Sequence, residues 1–408
     1  MRFLRFISRI FIGIVFIYSG FVKGIDPLGS TYKFIDYFEA FGLGFLDSFA
    51  LPLAIFLSTA EFVIGISMFF GVRMKHATLA TVLFMAVFTP LTFYLAIANP
   101  VTDCGCFGDA LILTNWQTFW KNIVILIPTI FAFYQRKNFI KKYNFLAEWS
   151  VVVIFVMIMT STSIFSYKHL PIIDYRPYKT GTYISEGMIV PEGAPIDEYE
   201  TTFIYEKDAT EKEFSLSNLP DSTWSWKDTK NELIKEGYHP PIHDFDIQSI
   251  YGEVITDIVL ADEGYAFLLI SYDLTESDIS SQQKINELSD YCLANNHNFI
   301  CLTSSTSEID DFVDNTGANY QFYNTDEITL KTIIRSNPGL VLLKSGVILG
   351  KFHYNDIPEV EEFNDNFLSY FLKKYRQKNE NLFRISLGLS LFLVLSLFVL
   401  INFFKVRK

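Results

Sequence analysis

Apolar positions fall along this chain in two regimes. Over residues 3–167 they form long runs, and over 168–381 they are dispersed among polar and charged residues. Six runs approach the roughly 20 residues that a helix needs to span a hydrocarbon core: 3–22, 49–72, 77–98, 116–134, 146–167 and 383–404. The pattern predicts six transmembrane helices, with a soluble part between the fifth and the sixth. The first run is long, has no clear small-x-small cleavage site and is followed by further runs, so it is read as a retained helix.

In the polar regime the period changes. Residues 171–194 are rich in Pro, Gly and Tyr and read as an irregular lead-in. TTFIYEKDATEKEFSL reads as a hairpin with a charged turn over 206–212. From Ile242 the segments HDFDI and VITDIV frame Gly252, and the apolar strand AFLLISY follows. Next come a helix over about 280–294, a strand FICLTS, a short helix from Glu308, a strand YQFY and a helix around Leu330. The pair LVLLK and VILGKFH then precedes a closing helix with Val360, Phe363, Phe367 and Phe371 on one stripe. Strands alternating with helices and ending in a hairpin predict an α/β sandwich.

Composition agrees with this division. Half of the 408 residues are hydrophobic and 19% are charged, too apolar for an ordinary soluble chain. Basic residues mark the cytoplasmic loops: Arg2 and Arg5, Arg73 and Lys75, Arg136, Lys137, Lys141 and Lys142, and Lys405, Arg407 and Lys408. Both termini are therefore expected in the cytoplasm, with the soluble part in the periplasm of a bacterial inner membrane. Lys373, Lys374, Arg376, Lys378 and Arg384 run against the bias, which long translocated domains obey weakly. The formal net charge of −12 argues against nucleic acid as a partner.

The candidate chemistry lies in DCGCFGD, from Asp103 to Asp109, on an outward loop without Lys or Arg. Cys104 and Cys106 flank Gly105, which supplies the backbone freedom to close a small disulfide ring, and strain of that kind makes a disulfide easier to reduce. Exchange also needs access and some thiolate. Lys121 and the start of the following helix favour thiolate, Asp103 and Asp109 oppose it, and the sequence leaves that balance open. Redox exchange and a plain structural disulfide both remain open uses of the pair. Zinc would need more than two cysteines without a nearby histidine, even counting the two aspartates, so no metal is expected. Cys292 and Cys301 are read either as a structural disulfide or as small buried hydrophobes. The scattered His239, His243 and His353 carry no such pattern.

Arg9 and Glu61 lie deep in the first two runs. At about 1.5 Å per residue, Arg9 is about 21 Å inward from Lys23 and Glu61 about 15 Å inward from Leu51. Isolated charges in hydrocarbon are costly, so a mutual ion pair is expected, either locking the bundle or forming the polar floor of a quinone or proton path.

RFISRIFIGIVFIYSGFVKGIDP, STAEFVIGISMFFGV and the CGCFG motif, with Phe107 and Gly108, together resemble the four-helix DoxX superfamily and its branch similar to the methylamine-utilisation protein MauE. The likeness covers about residues 1–135. It implies an integral membrane protein engaged in thiol redox work. The segment 242–373 resembles the thioredoxin fold in its peroxiredoxin-like, membrane-tethered branch, and NPGLVLLKSGVILGKF implies Pro338 at the cis-proline position. Where that fold carries Cys-x-x-Cys, this chain has SYDLTESDIS, whose Asp273, Glu276 and Asp278 read as helix caps.

The expected organisation is a membrane α-helical bundle over 1–135, a fifth helix with its lead-in over 136–167, a linker and small β-rich segment over 168–241, a thioredoxin-like α/β domain over 242–373, and a last helix over 374–408. The expected partners are the lipid bilayer and extracytoplasmic thiol proteins or a soluble thioredoxin-like protein, with a quinone as candidate carrier and no covalently bound cofactor. The other reading is a non-enzymatic scaffold for envelope proteins in which the CGC loop is a structural clip.

Overall fold

The computed structural model describes residues 1–362 apart from 102, 140–143, 208–209 and 236, together with 369, 370 and 373. Residues 383–404, expected as a sixth span, and Phe363, Phe367 and Phe371 of the expected closing helix lie outside the described residues.

Helices α1 (Arg2–Ile25), α3 (Ala50–Phe70), α4 (Met74–Ala98), α5 (Asn115–Tyr134) and α6 (Phe145–Lys168) form the apolar part. A short α2 (Pro27–Ala40) bridges α1 and α3, with Asp26 capping it by accepting from Gly29 N at 3.0 Å. Small residues let α1 and α3 touch: a Cβ on Gly13, Gly20 or Gly65 would overlap Phe69, Phe62 or Ile17 backbone of the opposing helix. These contacts fix an antiparallel register. On the other side, α6 docks through Ser163, whose hydroxyl donates to Gly24 O at 2.8 Å.

Among the described residues, four helical segments are long and apolar enough to cross a membrane: Arg2–Ile25, Gly44–Phe70, Met74–Ala98 and Phe145–Lys168. The fourth expected span is present as α5 but is not one of them, because Asn115, Gln117, Lys121 and Asn122 crowd its first half. Several of these polar groups are turned inward. Asn115 donates to Asn99 Oδ1 and Val101 O, each at 2.8 Å, and Asn122 donates to Thr92 Oγ1 at 3.0 Å. The chain is thus a multi-pass membrane protein.

The lead-in after α6 is irregular but packed. It includes the single turn α7 (Ile184–Gly187), and Asp174 Oδ1 accepts from Arg176 Nε at 2.8 Å. Lys351 also contacts Asp174 and donates to Ile333 O at 2.7 Å. Opposing charges on both sides hold the Asp174 carboxyl well below the carboxylate range despite its burial. Next comes a three-stranded sheet of order β2-β1-β3: β1 (Glu198–Lys207), β2 (Thr210–Ser215) and β3 (Ser225–Lys235). The β1–β2 hairpin was legible in the sequence; β3 was not.

The larger sheet has the order β6-β5-β4-β7-β8. Its strands are β4 (Tyr265–Ile270), β5 (Asn298–Thr303), β6 (Gln321–Asn324), β7 (Gly339–Lys344) and β8 (Val347–His353). β4, β5 and β6 are parallel, and β7 and β8 complete the sheet antiparallel. The crossovers carry α9 (Gln282–Ala294), α10 (Ile309–Thr316) and α11 (Glu327–Ile333), and α8 (Thr256–Ala261) precedes β4. VITDIV therefore ends in a helix.

Alternation along β4 separates two cores: Leu268 and Ile270 face one with Ile300, Leu330 and Val341, and Phe267 and Leu269 face the other with Leu288 and Leu342. Both faces are covered, which is why β4 reads as an unbroken apolar run.

Candidate functional site: the CGC loop and its cavity

The loop between α4 and α5 holds Cys104 and Cys106 as a disulfide, Cα to Cα 5.5 Å apart. Gly105 between them has φ 61°, a left-handed conformation that a side chain would resist, and a Cβ there would meet Lys33 Cγ at 2.9 Å. Asp103 organises the turn by accepting from Gly105 N at 2.8 Å and pairing with Lys33 Nζ at 2.8 Å. The loop carbonyls are held by neighbouring helices: Ser19 of α1 donates to Cys106 O at 2.7 Å, and Tyr37 of α2 donates to Cys104 O at 2.8 Å. Phe107 is buried against Tyr18, Gly108 turns beside Val22, and Lys121 Nζ lies 4.5 Å from the Phe107 ring centroid.

Behind the disulfide the bundle forms a cavity of about 80 Å³, partly open to its surroundings. Cys104 and Cys106 line it together with Lys23, Glu61 and Lys121, and much of the remaining wall is apolar, including Phe16, Phe84 and Phe88. Its mostly apolar lining with a few convergent polar groups is of the kind that small-molecule sites show.

The expected Arg9–Glu61 pair does not form. Glu61 pairs with Lys23, while Arg9 lies beside Gly71, its guanidinium 5.5 Å from the Phe6 ring centroid. The reason is register: α2 and the turn after it take up the connection, so Lys23 of α1 faces the middle of α3, and Arg9 faces its end.

On the side away from the bundle the loop meets the larger sheet's domain. Arg335, 6% exposed in its side chain, pairs with Asp109 at 2.7 Å and with Asp26 at 3.1 Å. Burial opposes its charge, but Asp26 and Asp109 outweigh that and raise its pKa. Burial raises the Asp109 carboxyl above its ordinary value, with Arg335 opposing. Tyr32 of α2 donates to Tyr272 Oη at 3.1 Å, and Arg335 lies 5.2 Å from the Tyr32 ring centroid. Tyr272 belongs to SYDLTESDIS, and Arg335 stands three residues before Pro338, whose peptide with Asn337 is cis. In SYDLTESDIS, Asp273 accepts from Thr275 N and Asp278 from Ser280 N, each at 2.8 Å.

Cys292 and Cys301 are not a disulfide. Both are free thiols, each 0% exposed, in the core layer of Phe267, Leu288 and Leu342. Cys292 sits on α9 and Cys301 on β5, in the apolar layer between helix and sheet. Burial pushes Cys292 up to about 12 and Cys301 higher still. His239 and His243 are exposed, and His353 is buried at the end of β8.

Sequence reasoning missed Ser19, Lys33, Tyr37, Asp26 and Arg335. Lys23 had a signal, as the one cation in the polar end of the first run; the others had none that spacing alone could supply.

Residues 1–135 match the family model "Methylamine utilisation protein MauE", so this part is MauE-like. Residues 199–236 match a domain of unknown function, DUF8463. Protein TlpB of Flavobacterium psychrophilum is 28% identical over 169 residues, which cover 40% of this chain and 44% of that protein. The match thus spans less than half the length of the relative. No solved structure matches the chain.

Proposed function

We propose that this is a membrane thiol-disulfide redox protein in which Cys104 and Cys106 exchange electrons between extracytoplasmic protein thiols and a carrier in the membrane. The observation that carries the reading is that the disulfide lines a cavity inside the helix bundle. The MauE match over 1–135 supports the same class of work. In one direction, a partner's thiolate attacks one sulfur of the disulfide and forms a mixed disulfide. The partner's second thiol resolves it, leaving the partner oxidised and Cys104 and Cys106 as thiols. Re-forming the S–S bond then releases two electrons and two protons towards the cavity. The reverse direction uses the same bonds.

The carrier we propose is a quinone, which when bound supplies a two-electron, two-proton acceptor. The residues fit it: aromatic and aliphatic walls suit a ring, and Lys23, Glu61 and Lys121 are polar groups at depth. Lys33 and Arg335 neutralise Asp103 and Asp109, removing the charges that oppose thiolate formation in the loop. In this reading six spans leave both termini in the cytoplasm, and the periplasmic domain is thioredoxin-like. Lacking cysteine in SYDLTESDIS, that domain serves to bind rather than to catalyse.

The second reading, a scaffold with a structural clip, is favoured by the way Ser19, Tyr37, Lys33 and Arg335 hold the loop. One experiment separates them. In a variant with Cys292 and Cys301 replaced, the redox state of Cys104 and Cys106 is trapped in membranes by acid quench and mass-tagging of free thiols, before and after respiratory quinone turnover is blocked. A shift with quinone status is expected; a pair locked in one state throughout sinks quinone-coupled cycling and leaves the clip.

A further inference from the structure

The charges in the cavity wall do not balance. Glu61 pairs with Lys23, yet Lys121 also lines the cavity, and among the described residues it forms no ion pair. Its contact is the Phe107 ring, in the same CGCFG loop that carries the disulfide. Of the three lysines in the wall, Lys23 is paired with Glu61 and Lys33 with Asp103, so the ammonium of Lys121 is the excess positive charge beside the cysteines. An ionisable side chain at this depth in a bundle is costly unless it serves a site.

From this we infer, resting on the carrier reading above, that Lys121 is the binding residue for a ring oxygen of a 1,4-dione carrier. A dione oxygen is an acceptor for an ammonium N–H when oxidised, and it gains negative charge as electrons arrive. A cation in a low-dielectric wall therefore holds it more tightly as reduction proceeds. The balance closes without another reactant. Cys104 and Cys106 lose two electrons and two thiol protons as their S–S bond forms; the ring gains two electrons, and its two oxygens gain the two protons. Lys121 is unchanged at the end. The Lys23–Glu61 pair, being internally neutral, leaves Lys121 as the group with charge to offer. An anionic lipid headgroup shares part of this chemistry, and the test must tell the two apart.

The test uses the full chain in lipid nanodiscs with Cys104→Ser and Cys106→Ser, so that binding is read without electron transfer. Decyl-chain 1,4-benzoquinone and a short-chain 1,4-naphthoquinone are titrated, in discs with and without phosphatidylglycerol, and the ligand retained per protein is compared with empty discs. Saturable retention is expected, weakened roughly tenfold or more by Lys121→Met and kept within a few-fold by Lys121→Arg. Lys121→Gln provides a second neutral variant, and size exclusion and melting establish that each is folded. Saturable binding that is equal in the Cys104→Ser/Cys106→Ser chain with and without Lys121→Met or Lys121→Gln overturns the role of Lys121 while leaving the carrier reading standing. No saturable binding in any form removes both. Retention of phosphatidylglycerol that depends on Lys121, with no dependence for the quinones, overturns the inference in favour of a lipid headgroup.

Discussion

The four cysteines make two pairs that the fold treats in opposite ways. Cys104 and Cys106 stand one residue apart on a loop held by a serine, a tyrosine, a lysine and an arginine, with a cavity behind them. Cys292 and Cys301 lie nine positions apart, wholly buried among apolar side chains, and remain separate thiols. The first pair is set in polar groups that adjust charge and position. The second is set in an apolar layer whose burial raises both thiols, with a Ser271 backbone hydrogen bond opposing it at Cys301, and leaves them inert. Redox character follows from surroundings more than from closeness in sequence.

The largest expected effect tests that contrast directly. In native, fully reduced protein, a maleimide should label Cys104 and Cys106 about a thousand-fold or more faster than Cys292 and Cys301, which react only when the domain opens. Comparable rates, read by mass tagging over time, would break the comparison. Next in size is Arg335→Met. It leaves the part-exposed Asp26 and Asp109 without their cation, a loss of about 2–3 kcal/mol once solvent screening is allowed for, and should expose the interface to limited proteolysis. Adding Asp26→Asn and Asp109→Asn should recover much of that loss; no recovery means that Arg335 acts through packing alone. Smaller again is Cys301→Ser, which buries a hydroxyl where a sulfur packed and should cost about 1–3 kcal/mol in chemical denaturation. Cys104→Ser, on a part-exposed loop, should change stability less than its redox behaviour.

What could be read from the sequence follows the same division. Apolar runs are legible because a bilayer demands them, so α1, α3, α4 and α6 stood out as spans. Helix α2 escaped because its apolar positions are mixed with Lys33, Asp36 and Glu39, and without it the register of α1 on α3 was misjudged and Arg9 was given to Glu61. The CGC motif was visible because its chemistry is local. Its partners were not, because Ser19, Tyr37 and Arg335 reach the loop only through tertiary contacts across 87, 67 and 226 positions of chain. In the larger sheet's domain, strand order was legible from alternation. Cys292 and Cys301 looked equally suited to a bond or to burial, and the choice lay in how a helix seats on a sheet.

The smallest effect concerns the joint between α6 and β8. His353 is 2% exposed, its Nδ1 accepts from Asn355 N at 3.2 Å, and Asn355 Nδ2 donates to Lys168 O at 2.7 Å. Burial lowers its pKa from 6.5 to about 4; Asp356 opposes this, and the His169 ring, 6.4 Å away between centroids, adds to it. The folded state therefore holds His353 neutral where the unfolded chain already binds a proton. The stability it contributes is fully present above the unfolded value of 6.5 and is lost as pH falls towards 4. Melting temperatures of the full chain should drop by a few degrees across that window from this residue, and His353→Gln should flatten that part of the slope. The redox state of Cys104 and Cys106 should not follow it, because no titrating group at this joint contacts their loop among the described residues; a pH step shared by both would mean that the joint and the loop move together.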